Sequence, residues 1–267
     1  MSEPFEIQSP EGLVIRGDID LAARPQALVV VVHGFKGFKD WGFFPWLGER
    51  LCHHGFHVVR FNMSRSGIGE SAESFERLDL FAGDTYSTQI ADLLAVVGVA
   101  QERYPSLPTF LLGHSRGGGV ALLAANDVAN LAGVVTWSAI ANADRWDDAT
   151  KQQWRADGFL DVVNARTKQT MRMSTAILDD YEANRERLDI LAAAQRLGVP
   201  LLAIHGGRDE SVPVAEASLI ASRALDASTV ILANASHTYN AIHPLVHVPP
   251  QLSMAAVLSA HFIAAYA

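Results

Sequence analysis

The chain has 267 residues, 49% of them hydrophobic and 19% charged, a globular composition with ample material for a core. Its 29 acidic and 21 basic residues leave a net charge of −8, which argues against nucleic acid as the main partner, since phosphate binding needs a basic footprint. The single cysteine, Cys52, excludes an internal disulfide and fits a reducing compartment. The opening "MSEPFEIQSPEG" lacks the apolar stretch of a signal peptide, and no apolar run approaches the roughly 18 residues of a membrane span. The expected location is the cytoplasm.

In chain order, "FEIQSPEGLVIRGDID" alternates weakly around "SPEG" and predicts an antiparallel hairpin at a sheet edge. "ALVVVVHGF" (Ala27 to Phe35) is a continuous β-branched run, suited to a strand buried on both faces of a parallel sheet. "FPWLGERLCHHGF" spaces Trp46, Leu47 and Leu51 as a helix with Gly55 as its C-terminal cap. "HVVRFNM" is a second buried strand, "SRSGIGESAESF" a polar loop, and "YSTQIADLLAVVGVAQERY" a helix with Ile90, Leu93, Leu94 and Val97 on its apolar face. "TFLLGHS" is a strand and "RGGGVALLAAN" a helix. "AGVVTWSAI", "VPLLAIHGGRD" and "STVILANASH" are strands, and "PPQLSMAAVLSAHFIAAYA" closes the chain as a helix. Strands alternating with helices predict an α/β fold around a mainly parallel sheet with helices on both faces, in one domain over residues 1–267. Residues 142–199 break the rhythm. They hold no convincing strand and are expected to form a helical insertion lying over the end of the sheet, or else ordinary peripheral helices.

The chemistry concentrates at "GHSRG", Gly113 to Gly117, which matches G-x-S-x-G between a strand and a helix. In that context Ser115 sits on a sharp turn with its oxygen projecting from the top of the sheet, and the glycines remove side chains that would clash there. The competing reading makes Ser115 a helix cap. A serine nucleophile needs a base and an orienting acid, here expected in the order Ser, acid, His. Asp209 in "HGGRDESVP" and His237 in "NASHTYN" each follow a strand directly, at the sheet edge that carries Ser115. Glu210 is the rival acid and His243 the second choice of base. His114 is expected to pack behind the turn, and His205 and His261 to be structural. A metal site at His53, His54 and His57 is disfavoured because Gly55 breaks the helix that would align them. The backbone N–H groups of Arg116 and of Phe35, in the loop after "VVVVHGF", are the candidates for stabilising an oxyanion. "GIGES" and "GHSRGGG" complete neither a phosphate loop nor a dinucleotide fingerprint.

Together, "HGFKGFKDWG", "FNMSRSGIGES", "GHSRGG", "HGGRDESVP" and "SHTYNAIHP" resemble the α/β-hydrolase-fold serine hydrolases, in the branch that holds dienelactone-hydrolase-related and cinnamoyl or feruloyl esterases. The resemblance covers nearly the whole chain from "VVVVHGF" onward. It implies an eight-stranded sheet, no cofactor and no metal, triad roles for Ser115, Asp209 and His237, and oxyanion roles for Phe35 and Arg116. The nucleophile is a serine where true dienelactone hydrolases carry a cysteine. The expected activity is hydrolysis of a small-molecule carboxylic ester through an acyl-enzyme, with Trp137, Trp146, Trp154, Phe159, Met171, Met173 and His243 as candidate pocket residues. A peptidase of the acyl-aminoacyl or prolyl-oligopeptidase kind, a thioesterase, an acyltransferase and a non-catalytic ligand-binding protein are the alternatives. The sequence leaves the oligomeric state open, a homodimer being one option.

Overall fold

The structure, a computed structural model, describes residues 1–71, 74–164 and 166–267. The chain opens with β1 (Ser2–Gln8) and β2 (Val14–Asp20), paired antiparallel as expected, and β2 turns Ile15 and Ile19 into the core. Then follow β3 (Ala27–Val32), α1 (Phe44–His53) and β4 (Phe56–Phe61). Gly55 has φ +87°, so it ends α1 in the left-handed conformation that glycine adopts without strain. Next come α2 (Leu78–Ala82), α3 (Tyr86–Arg103), β5 (Thr109–His114), α4 (Arg116–Ala125) and β6 (Leu131–Trp137). The polar loop expected before α2 includes Ala72 and Glu73, which lie outside the described residues; an antiparallel bridge between Ile68 and Phe75 closes its ends.

The next segment holds α5 (Asp148–Asp157), β7 (Phe159–Val163), β8 (Thr170–Ser174), α6 (Ala176–Ala183) and α7 (Ile190–Gln195). The expectation of a strand-free insertion over residues 142–199 is therefore corrected: β7 and β8 pair as an antiparallel hairpin. Exposure alternates along both strands, and Leu160, Val162, Met171 and Met173 face inward. The hairpin is tied to the rest of the fold by Ser174 Oγ donating to the Ala82 carbonyl (2.8 Å) and Gln169 Nε2 donating to the Phe75 carbonyl (3.0 Å). The chain finishes with β9 (Leu201–Gly206), α8 (Ala215–Arg223), β10 (Ala227–Leu232) and α9 (Pro250–Tyr266). Among the described residues no helix is long and apolar enough to cross a membrane.

The main sheet has eight strands in the order β1-β2-β4-β3-β5-β6-β9-β10. From β4 to β10 all neighbours are parallel. A parallel sheet buried on both faces favours near-continuous apolar runs, and the two faces of β3 show how they divide. Leu28, Val30 and Val32 pack with α3 and α4 residues such as Leu93 and Val120. Ala27, Val29 and Val31 pack with Leu47 and Leu51 of α1 and Leu252 of α9. Register then aligns the strand ends. Val32 pairs with Gly113, His114 with Trp137, Trp137 with Ile204, and Gly206 with Leu232. The loops leaving β3, β5, β9 and β10 thus emerge side by side at one sheet edge.

Candidate active site

Ser115 is the single residue between β5 and α4, and its backbone sits at φ 57°, ψ −125°. A residue with a Cβ rarely adopts that conformation, and it persists only where the surroundings hold it. Here the Ser115 N–H donates to the Trp137 carbonyl (2.8 Å), and its own carbonyl accepts from Gly118 N–H (3.0 Å). The side chain makes no capping hydrogen bond to α4, which removes the helix-cap reading. The turn also depends on close backbone approach. A Cβ on Gly117 would overlap the carbonyl oxygens of Val32 and His33, and one on Gly34 would lie 2.9 Å from Ser115 Cβ. Because the obstacle at position 117 is backbone, it cannot swing aside. Gly117→Ala is expected to lower stability by about 3 kcal/mol or more, read as a fall in the urea midpoint at unchanged slope.

Asp209 lies in the turn after β9, with its side chain fully buried (0% exposed). Its Oδ1 accepts from the N–H groups of Ser211 (2.8 Å) and Val212 (2.9 Å), and its Oδ2 from Nδ1 of His237 (2.8 Å). His205, four residues back on β9 and also fully buried, brings Nε2 to 3.3 Å from the same Oδ2 while donating to the Val212 carbonyl (3.1 Å). Burial opposes the charge on Asp209, but the hydrogen bonds from His205, His237 and Val212 outweigh it and hold the carboxyl well below the usual range. The rival acid, Glu210, is exposed.

His237 follows β10 and is partly open to solvent. With Nδ1 donating to Asp209, its Nε2 is the nitrogen left to accept a proton. Its carbonyl accepts from His114 Nε2 (3.0 Å), and the two rings lie 4.8 Å apart. Burial, aided by His237, pushes His114 down to about 3, so His114 stays neutral and serves as a strut behind the base. His33 plays a similar part in the loop after β3. It donates from Nδ1 to the Gly34 carbonyl (2.9 Å) and accepts at Nε2 from Met63 N–H (3.2 Å), and burial lowers it to about 4.

Ser115, His237, Phe35 and Arg116 all line one cleft of about 540 Å³, within the usual range for small-molecule sites. Trp146 lines it too. The other candidate pocket residues do not, and packing explains each. Trp137 is buried on the far side of the sheet, donating from Nε1 to Ser259 Oγ (2.9 Å). Trp154 is sealed beneath the hairpin and donates to the Met173 carbonyl (3.2 Å), with Met171 and Met173 beside it in the core. Phe159 points outward under the Arg172 guanidinium, 3.6 Å from its ring centroid. His243 accepts from Gly42 N–H (2.8 Å) and packs on Phe38 and Trp41. Lys36, Tyr86, Arg145 and Arg166 of the cleft wall have no place among the sequence candidates, while His205, expected to be structural, stands behind the acid. Lys36 had a readable signal, since it directly follows Phe35.

Residues 23–188, more than half of the chain, match the Hydrolase_4 family model, described as serine aminopeptidase, S33. The chain belongs to this family. Among individual relatives of the S33 protein, the monoglyceride lipase homolog of monkeypox virus is 31% identical over 121 residues, which are 45% of this chain and 41% of that one. Phospholipase YtpA of Bacillus subtilis is 34% identical over 101 residues, 38% of this chain and 35% of that one. The chain thus spans less than half the length of the curated relatives it matches. Solved structures share the fold across nearly the whole chain. Est1E from Butyrivibrio proteoclasticus superposes with a TM-score of 0.72 at 17% identity, covering 98% of both chains. A dienelactone hydrolase from Anabaena variabilis gives 0.67 at 16% identity, covering 100% of this chain and 98% of that one. The fold is that of the α/β hydrolases.

Proposed function

We propose that this S33-family protein is a serine hydrolase that cleaves carboxylic esters through an acyl-enzyme. The observation that carries the reading is the 2.8 Å hydrogen bond from His237 to the buried carboxylate of Asp209, in a residue that shares one cleft with Ser115 on its strained turn. In the proposed sequence, His237 Nε2 takes the Ser115 hydroxyl proton as Oγ attacks the ester carbonyl. The backbone N–H groups of Phe35 and Arg116 receive the developing oxyanion. The tetrahedral adduct collapses as His237 returns the proton to the leaving alcohol. Water, deprotonated by His237, then attacks the acyl-serine, and collapse of the second adduct frees the acid and restores Ser115. Trp146 supplies apolar wall for the substrate.

The family description also suggests an aminopeptidase. Such an enzyme must hold a free ammonium group, and a charge removed from water needs a partner. None of the described residues lining the cleft is an aspartate or glutamate, which favours the esterase over the aminopeptidase. The test is a panel of p-nitrophenyl esters beside aminoacyl p-nitroanilides. Ester turnover with an initial burst of nitrophenol is the expected result; turnover of the anilides alone would replace the esterase with the peptidase.

A further inference from the structure

The cleft carries charge of one sign. Lys36, Arg116, Arg145 and Arg166 line it with no carboxylate among the described lining residues, on a chain where acidic residues outnumber basic ones by 29 to 21. Arg145 and Arg116 have carboxylates behind the wall. Arg145 pairs with Glu216 through Nη1 (2.7 Å), and Arg116 reaches Asp84 Oδ2 at 3.5 Å. Asp84 is itself pushed up to about 7 by burial, so near neutral pH it offsets the Arg116 charge only in part.

Lys36 has a different setting. Its ammonium donates to the Val163 carbonyl at the end of β7 (3.0 Å), a neutral partner. It lies 5.4 Å from the Phe35 ring centroid, and the Arg116 guanidinium lies 4.1 Å from the same centroid. Burial first, and then the Arg116 charge, lower the Lys36 pKa. Two cations therefore converge on one aromatic ring beside the nucleophile, repelling each other in the unliganded protein. An anion placed between them would relieve that repulsion, and the low-dielectric aromatic walls would strengthen the attraction.

We propose that the ester cleaved here carries an anionic oxygen group, a carboxylate or a phosphate, held by Lys36 and Arg116 while its apolar part packs against Phe35, Trp41 and Trp146. This rests on the esterase reading and adds a substrate class to it. Lys36 is then a specificity-determining residue.

The experiment compares kcat/KM, corrected for intrinsic alkaline reactivity, within matched ester sets. For the acyl side the pair is p-nitrophenyl hemiglutarate against p-nitrophenyl pentanoate. For the alcohol side, 4-acetoxybenzoate and 4-acetoxyphenyl phosphate are set against 4-acetoxytoluene, which also separates carboxylate from phosphate. The expected result is a preference of about tenfold or more for an anionic member, shrinking as sodium chloride rises. Lys36→Met lowers that ratio, Lys36→Glu inverts it, and Lys36→Arg retains it. Turnover of neutral esters with no charge preference in any set overturns the proposal and leaves the esterase standing, as does an equal loss on charged and neutral members in Lys36→Met. If no ester is turned over, the esterase reading falls, and calorimetric titration of the protein with phenyl phosphate and with glutarate still decides the point. Binding of either that Lys36→Glu abolishes supports an anion site, and binding of neither overturns it.

Discussion

Ser115→Ala is expected to lower ester turnover by about 10⁴-fold or more while leaving the fold in place. The two halves of that result have separate causes. The hydroxyl is the only atom removed, and it makes no capping bond to α4, so little structural hydrogen bonding is lost. Alanine carries the same Cβ as serine at φ 57°, so the strain of the turn is unchanged. Thermal stability should therefore stay within about 0.5 kcal/mol of wild type. Activity falls because covalent catalysis has no substitute at this position. Thr238, a further hydroxyl of the cleft wall, is committed to the Ala241 carbonyl (2.8 Å). Paired esterase assays, thermal melts and fluorophosphonate labelling check all three points. Labelling that persists in Ser115→Ala would place the nucleophile elsewhere.

How far this site could be read without coordinates depended on how locally each part is encoded. β3 and β5 announce themselves because strands buried on both faces read as near-continuous apolar runs, as "ALVVVV" and "FLL" do. Ser115, Asp209 and His237 each follow a strand within a few residues, so their shared edge follows from the topology once the strands are placed. The hairpin of β7 and β8 was hidden for the opposite reason. Each strand has five residues, β8 has only Met171 and Met173 as apolar side chains, and Asp161 and Arg172 face outward as a cross-strand ion pair (2.8 Å). Apolar character alone does not mark the cleft wall. Trp154, Met171 and Met173 are apolar because they hold the hairpin onto the fold, and nothing in their immediate neighbours distinguishes that from a substrate wall. The one-sided charge of the cleft was invisible because its four cations come from four separate stretches of chain, each unremarkable alone.

Asp209→Asn is expected to lower kcat by about 10³- to 10⁴-fold near neutral pH, with a smaller effect on KM. An asparagine can keep its oxygen toward the N–H groups of Ser211 and Val212, where Asp209 Oδ1 now accepts. Its NH₂ then faces Nδ1 of His237 in place of Oδ2. That nitrogen must become an acceptor, the ring proton moves to Nε2, and Nε2 can no longer take the proton of Ser115. The same substitution changes how stability depends on pH. The folded-state pKa of Asp209 lies below its unfolded value of about 3.9, so its carboxylate stabilises the fold fully above that value and loses this contribution as pH falls below it. The stability gap between wild type and Asp209→Asn should therefore be largest near neutrality and narrow below about pH 4, which urea midpoints at the two pH values would read. Loss of activity together with a pH-independent gap would assign Asp209 a catalytic role without the buried charge. Retention of wild-type kcat would remove Asp209 from the site altogether and turn attention to Glu210, whose exposed side chain lacks the backbone donors that hold its neighbour ionised.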